Sequence, residues 1–243
     1  MRPTRPARLT RLRHPRTRAV ALGVLMVLAL AACSGSDKAA VKAPTAAEQL
    51  ASAKAKLDAA TSVHLTLRSS GIPASANGVL GADGSGTNAP AFKGTLDARI
   101  GGFGAKVEVV AVDKVLYLKL PFTTTFVPAD PKEYSAPDPA QLFAREGGIS
   151  SLLTATVNPV EGKKIRAGTD VLQTITGTLP GASVSKLLSV GDATKTYKVT
   201  YGITDPGGEL RTVTMTGPFF KGATSTYTLT LDKYGAPVEI SKP

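Results

Sequence analysis

The sequence predicts a mostly β chain with a few helices, an α+β fold built on one curled antiparallel sheet of about ten strands with helices on its concave, apolar side. Three observations carry that expectation. From residue 62 onward, apolar and polar residues alternate with a period of two in one segment after another, as in strands with one buried and one wet face. Short turns rich in Gly, Asp or Pro separate those segments, as hairpin connections do. Three stretches break the alternation with helical spacing or helix caps.

In chain order, the first element is a helix over 46–60. Thr45-Ala46-Ala47-Glu48 fits a capping box, and Leu50, Ala53, Leu57 and Ala60 then recur at helical spacing. "VHLTLRS" sets Val63, Leu65 and Leu67 against His64, Thr66 and Arg68. "GTLDARIGG" sets Leu96, Ala98 and Ile100 against Thr95, Asp97 and Arg99. "GAKVEVVAVD" aligns Ala105, Val107 and Val109 on one face, and "VLYLKL" does the same with Leu116 and Leu118. Asp138 then offers an N-cap, Pro139 an N1 and Gln141 an N3. Two short apolar-faced turns follow, holding Leu142 and Leu152 on either side of Gly147-Gly148. "TDVLQTITGTL" resumes the strands, and "PGASVSKLLS" (180–189) is a third short helix. "TKTYKVTYGIT" brings Val199 and Tyr201, "ELRTVTMTG" Val213 and Met215, "TSTYTLTLD" Leu229, and "PVEISK" a last strand. Tight turns fall at "DPGG" (205–208) and "KYG" (233–235). A sheet of so many twisted strands must curl or close, and helices on its apolar side complete the burial.

The N-terminal region has a different character. Seven arginines and no acid in residues 1–18 precede fourteen apolar residues, "AVALGVLMVLALAA". That run is too short to cross a bilayer comfortably and reads as a secretory signal peptide over 1–32. It ends at Leu30-Ala31-Ala32-Cys33, which resembles a bacterial lipobox, and Cys33 is the sole cysteine of the chain. The expectation is an exported protein anchored by acyl chains on Cys33 at the outer face of the cytoplasmic membrane. Each buried methylene contributes about 0.8 kcal/mol, so two chains hold stably. Residues 33–44 read as the lipidated terminus and a flexible linker reaching about 20 Å; residues 45–243 read as a single domain.

Composition excludes several function classes. The net charge of +11 includes the seven signal arginines; beyond residue 32 there are 22 Lys+Arg against 18 Asp+Glu. Interspersed charges of that balance describe a solvated surface and argue against a nucleic-acid partner. Ser183-x-x-Lys186 matches a penicillin-binding motif, but the S-D-N and K-T-G elements that complete it are missing. "GSGTNA" (84–89) mimics a dinucleotide fingerprint, but Pro90 and a strand follow in place of a helix, so it reads as a turn. His64, on the polar phase of a strand, reads as a solvated histidine with no triad partner. The chain is read as no enzyme, with neither a cofactor nor a metal.

Small side chains dominate the apolar face, with no Trp and few Phe. Either the face leaves a cavity or the sheet curls tightly enough to close over them. At this point a resemblance helps. "SVHLTLRSSGIP" after a capped helix, "VAVDKVLYLKL", "YSAPDPAQLFAREGGISSLLTA" and the closing "YTLTLDKYGAPVEISKP" resemble the mycobacterial and actinobacterial lipoproteins of the LppX/LprA/LprF/LprG family, in matching order over about 46–243. Tyr234 stands where some members carry Trp. The resemblance implies a half-barrel similar to the LolA/LolB lipid carriers, enclosing an apolar cavity. It implies acyl cargo of the phosphatidylinositol mannoside, lipoarabinomannan, triacylglycerol or branched-wax class, and a major-facilitator efflux transporter as partner. The polar head of the cargo would stay at the mouth, near loops such as 121–137. Under that reading the cavity is lined by Val63, Leu65, Leu67, Leu96, Ala98, Ile100, Ala105, Val107, Val109, Leu116, Leu118, Leu142, Leu152, Val199, Tyr201, Val213, Met215 and Leu229. The alternative is a structural or adhesive surface lipoprotein with a packed core.

Overall fold

In the computed structural model of the chain, the described residues are 42–134 and 136–243. The signal segment, Cys33 and most of the linker lie outside them.

The first helix, α1 (Ala46–Ala59), opens with the anticipated capping box. Thr45 Oγ1 accepts from the Glu48 amide at 3.3 Å, and Glu48 Oε2 accepts from the Thr45 amide at 2.6 Å. The Thr45 amide most, and next the Thr45 hydroxyl donating to the same oxygen at 2.8 Å, stabilise the charged carboxylate and hold its pKa below the usual range. Leu50 and Ala53 are fully buried on the face turned to the sheet.

Eleven strands follow: β1 (Ser62–Ser70), β2 (Gly78–Thr87), β3 (Ala91–Ile100), β4 (Phe103–Val112), β5 (Val115–Lys119), β6 (Val127–Ala129), β7 (Val157–Ala167), β8 (Asp170–Pro180), β9 (Thr196–Thr204), β10 (Leu210–Phe220) and β11 (Ala223–Asp232). They form one antiparallel sheet in the order β6-β5-β4-β3-β2-β1-β11-β10-β9-β8-β7. Every consecutive pair of strands is adjacent except β6 and β7, so β1 and β11 meet in the middle and β6 and β7 are the free edges. Both edge strands carry a proline, Pro128 and Pro159. Proline removes a ladder donor, which an edge tolerates and which discourages edge-to-edge pairing.

Between β6 and β7 the chain crosses the concave face as two 3-10 turns, Pro131–Tyr134 and Gln141–Phe143, and a short helix α2 (Ser151–Ala155). Helix α3 (Gly181–Leu188) connects β8 to β9. The convex face is polar: Thr216 and Thr226 hydrogen-bond across β10 and β11 at 2.9 Å, one ladder step from Thr214 and Thr228.

Four local expectations change. "GSGT" belongs to β2 and only Asn88–Pro90 turns; β2, β6 and β7 are strands that the alternation does not reveal. "PVEISK" forms no strand: past Asp232 the chain leaves the ladder at Lys233, whose φ is +50°. The tail is then tied down by the Gly235 amide on Ser62 O (2.8 Å) and by Ser62 Oγ donating to Ala236 O (2.5 Å). Asp138 caps no helix directly; its carboxylate accepts from the Ala140 amide at 2.9 Å, a local turn that leads into Gln141–Phe143.

Candidate functional site

Alternation delivers the inward residues, and what covers them decides their fate. Where the helices lie over β8 and β9, the interior is solid. Tyr201 there is buried beneath α2, with its hydroxyl 2.8 Å from Thr156 Oγ1 and donating to Leu152 O at 3.2 Å. Desolvation keeps that phenol protonated far above its ordinary range.

Toward the centre of the sheet the interior opens. A cavity of about 100 Å³ is walled by Leu65 and Leu67 of β1, Val213 and Met215 of β10 and Leu229 of β11. Ala82 and Leu96 continue the wall into β2 and β3, while Leu142, Ile149, Leu152 and Leu187 roof it. Tyr227 is the one lining residue with a polar side-chain atom, and its hydroxyl is spent on Val79 O at 3.2 Å. Burial pushes its pKa up to about 12. The lining side chains therefore offer a guest no free hydrogen-bond donor, which suits an acyl chain.

A second cavity of about 180 Å³ abuts the first, sharing Val79, Leu96, Ala136, Pro137 and Pro139 as walls. Ala98, Ile100, Val107, Leu116, Leu118 and Leu120 complete its sheet side. The segment anticipated as a mouth contributes Pro131, Glu133, Tyr134, Ala136 and Pro137, whereas 121–126 contributes nothing. Arg99 and Glu133 are its charged lining residues, and the Arg99 guanidinium donates to Pro73 O at 2.9 Å.

Of the residues expected to line a cavity, Val63, Ala105, Val109, Val199 and Tyr201 line neither of these. Val199 and Tyr201 are covered by helices, and Val109 is buried in a separate small cluster with Phe92, Ala111 and Leu118. Ala105 packs at the edge of that cluster, and Val63 faces a minor cleft beside Ser62 and Leu231. The sequence reading missed Val79, Phe92, Ile149, Leu187 and the two prolines of the shared wall. Phe92 has a local signal in hindsight: glycines at 84, 86 and 94. Gly84 and Gly94 face each other across β2 and β3, and Gly86 faces Phe92. The Phe92 ring lies back over the first pair, so a Cβ at Gly84 would sit 2.6 Å from its Cζ. Phe143 occupies the space above Gly86 and stacks on Phe92, with centroids 6.1 Å apart and planes at 18°. The glycines of the false dinucleotide motif make room for these rings, not for a phosphate.

His64 is not a freely solvated histidine. Its Nδ1 is 2.7 Å from Asp232 Oδ1 and its Nε2 is 3.3 Å from Asp83 Oδ1, bridging three strands on the convex face. Both ring nitrogens are engaged there, away from the cavities. Among the described residues, no group of three His, Cys, Asp or Glu is placed to hold a metal ion, and no helix is long and apolar enough to cross a membrane.

Known proteins share this fold. The chain is 25% identical to the lipoarabinomannan carrier protein LprG of Mycobacterium tuberculosis, over 96% of this chain and 99% of that one. In structure it is similar to LprF from Mycobacterium bovis, with a TM-score of 0.68 and 19% identity over 82% of this chain and 96% of that one. LppX from Mycobacterium tuberculosis superposes with a TM-score of 0.60 and 20% identity, over 81% and 98%. With residues 44–240 matching its family pattern, the chain belongs to the LppX_LprAFG lipoprotein family.

Proposed function

We propose that this protein is a non-enzymatic lipid carrier that takes the acyl chains of a cell-envelope lipid or lipoglycan into its two abutting cavities. The observation that carries the reading is the inner cavity, whose lining side chains are apolar except for Tyr227, whose hydroxyl donates to Val79 O. A C16 chain loses about 12 kcal/mol when it leaves a bilayer for water. A wall of Leu, Val, Ile and Met removes most of that cost without directed contacts. Such a wall discriminates poorly between chains differing by a methylene, so cargo is selected by volume and head group. The carrier name of the 25%-identical LprG supports the same reading and suggests a lipoglycan among the cargo classes. Direction would come from a concentration gradient or from a membrane transporter of the major-facilitator type.

The reading includes export and anchoring through Cys33, with the domain tethered close to the outer membrane face. Cys33→Ala should release the folded domain from the membrane fraction or leave an uncleaved precursor. That variant, purified from its own host and extracted with organic solvent, should yield a stoichiometric acyl lipid by mass spectrometry. An empty protein of unchanged stability would overturn the carrier reading in favour of a scaffold.

A further inference from the structure

The meander sends the β1–β2, β3–β4, β5–β6 and β10–β11 connections to one end of the sheet. The outer cavity reaches that end, because Gly78, Arg99, Ile100 and Leu120 are among its lining residues. The largest exposed apolar side chains are there too. Phe122 is fully exposed and Phe103 is 80% exposed, while Ile100 (45%) and Leu120 (38%) are both solvent-facing and part of the cavity lining. Phe122 is also held at φ +69°, a left-handed conformation that a bulky residue rarely adopts. Strain combined with exposure of an aromatic ring is unfavourable in water and points to a surface that is covered in use.

Charge says what covers it. Residues 71–77, 101–102, 120–126 and 221–222, which make these four connections, carry Lys221 and no acid, and the β8–β9 connection at the same end (181–195) adds Lys186 and Lys195. Lys106 and Lys119, on the adjoining strands, are paired with Asp97 and Glu108. Two further acids lie nearby. Asp192, in the α3–β9 connection, accepts from the Thr194 amide and hydroxyl, and Glu133 lines the outer cavity. The turns at the opposite end carry more acid than base, with Asp113, Asp205 and Glu209 against Lys114.

We propose that this end of the half-barrel docks on an anionic lipid bilayer. Phe103 and Phe122 enter the acyl boundary, the lysines of these connections sit at the level of the lipid phosphates, and the outer cavity opens onto the membrane. Apolar tips combined with cations at headgroup level are what an interfacial anchor requires. The inference deepens the carrier reading by giving cargo a route that avoids water, but docking can be measured without cargo.

The chain contains no tryptophan, so single reporters are clean. The complete chain carrying Phe103→Trp, Phe122→Trp or, at the opposite end, Val115→Trp is mixed with vesicles of phosphatidylcholine and phosphatidylglycerol, with and without brominated acyl chains. The emission of the first two should shift to the blue and be quenched by bromine, while that of the third should stay unchanged. Omitting phosphatidylglycerol or raising the salt should weaken the quenching, because screening shortens the reach of the cations. Equal quenching at all three positions, or none at 103 and 122, would overturn the proposal. So would a concentration-dependent blue shift without vesicles, which would assign the patch to a second copy of the chain. Mass-spectrometric evidence of an empty cavity would sink the carrier reading while leaving this result standing.

Discussion

The two flanks of one sheet differ in their interiors although their strands follow the same period of two. On the β7–β9 flank, Leu172, Ile175, Leu179, Tyr197 and Tyr201 have no exposed surface, and α1, α2 and α3 fill the space above the inward-facing ones. On the β2–β6 flank the inward positions are small, with Ala82, Gly84, Gly86, Gly94, Ala98 and Ala105 among them. The cover on that flank is an irregular segment of 3-10 turns and prolines. A helix presents a dense stripe of side chains that can interdigitate with a sheet. A proline-broken segment presents fewer, and cavities remain beneath it. The difference teaches that small inward residues and an irregular lid together leave a hollow, which runs to the centre of the sheet where residues of β10, β11, α2 and α3 close it.

Three changes test that contrast. The largest effect should come from Ile175→Ala on the solid flank. Deleting a fully buried aliphatic side chain there should cost about 2–5 kcal/mol and lower the thermal midpoint markedly. A small loss would mean that this flank is as loose as the other.

Gly84→Val should rank second. Its side chain would collide with the Phe92 ring and Lys93 O, both 2.6 Å from the Cβ position. Overpacking of this kind costs about 1–3 kcal/mol. Because Phe92 stacks on Phe143 and walls the inner cavity, the variant should also perturb cargo loading. Retention of both stability and loading would show that the aromatic pair can slide without consequence.

Leu96→Trp should give the smallest change in stability. Leu96 lines both cavities, so the added bulk enters empty space and the thermal midpoint should hardly move, measured by calorimetry. The same bulk should remove bound lipid from protein purified from its host. A drop as large as that of a true overpacking variant would refute the hollow at this position.

Physical patterning explains how much the sequence determined alone. The capping box at Thr45 and Glu48, the helix face of Leu50 and Ala53, and the alternation of β1, β3, β4 and β8–β11 are local properties. Each depends on residues a few positions apart, so they survive in any fold that buries an apolar face. The family resemblance reaches beyond those stretches, into the 134–155 crossing segment and the closing tail. β2 and β7 were not legible because their determinants are distant. The glycines of β2 conform to a strand only because Phe92 and Phe143 fill the space above them. β7, with Pro159 and a run of charges, is tolerated only at a sheet edge. "PVEISK" shows the converse: its alternation is real, but Gly235 and Ala236 bind Ser62 and the tail joins no ladder. Tertiary structure alone decided which inward residues meet a void. Leu65 and Tyr201 are equally apolar in phase, yet one faces the cavity and the other the backbone of α2. Period two fixes the face a side chain takes; only the path of the chain across that face fixes what it meets.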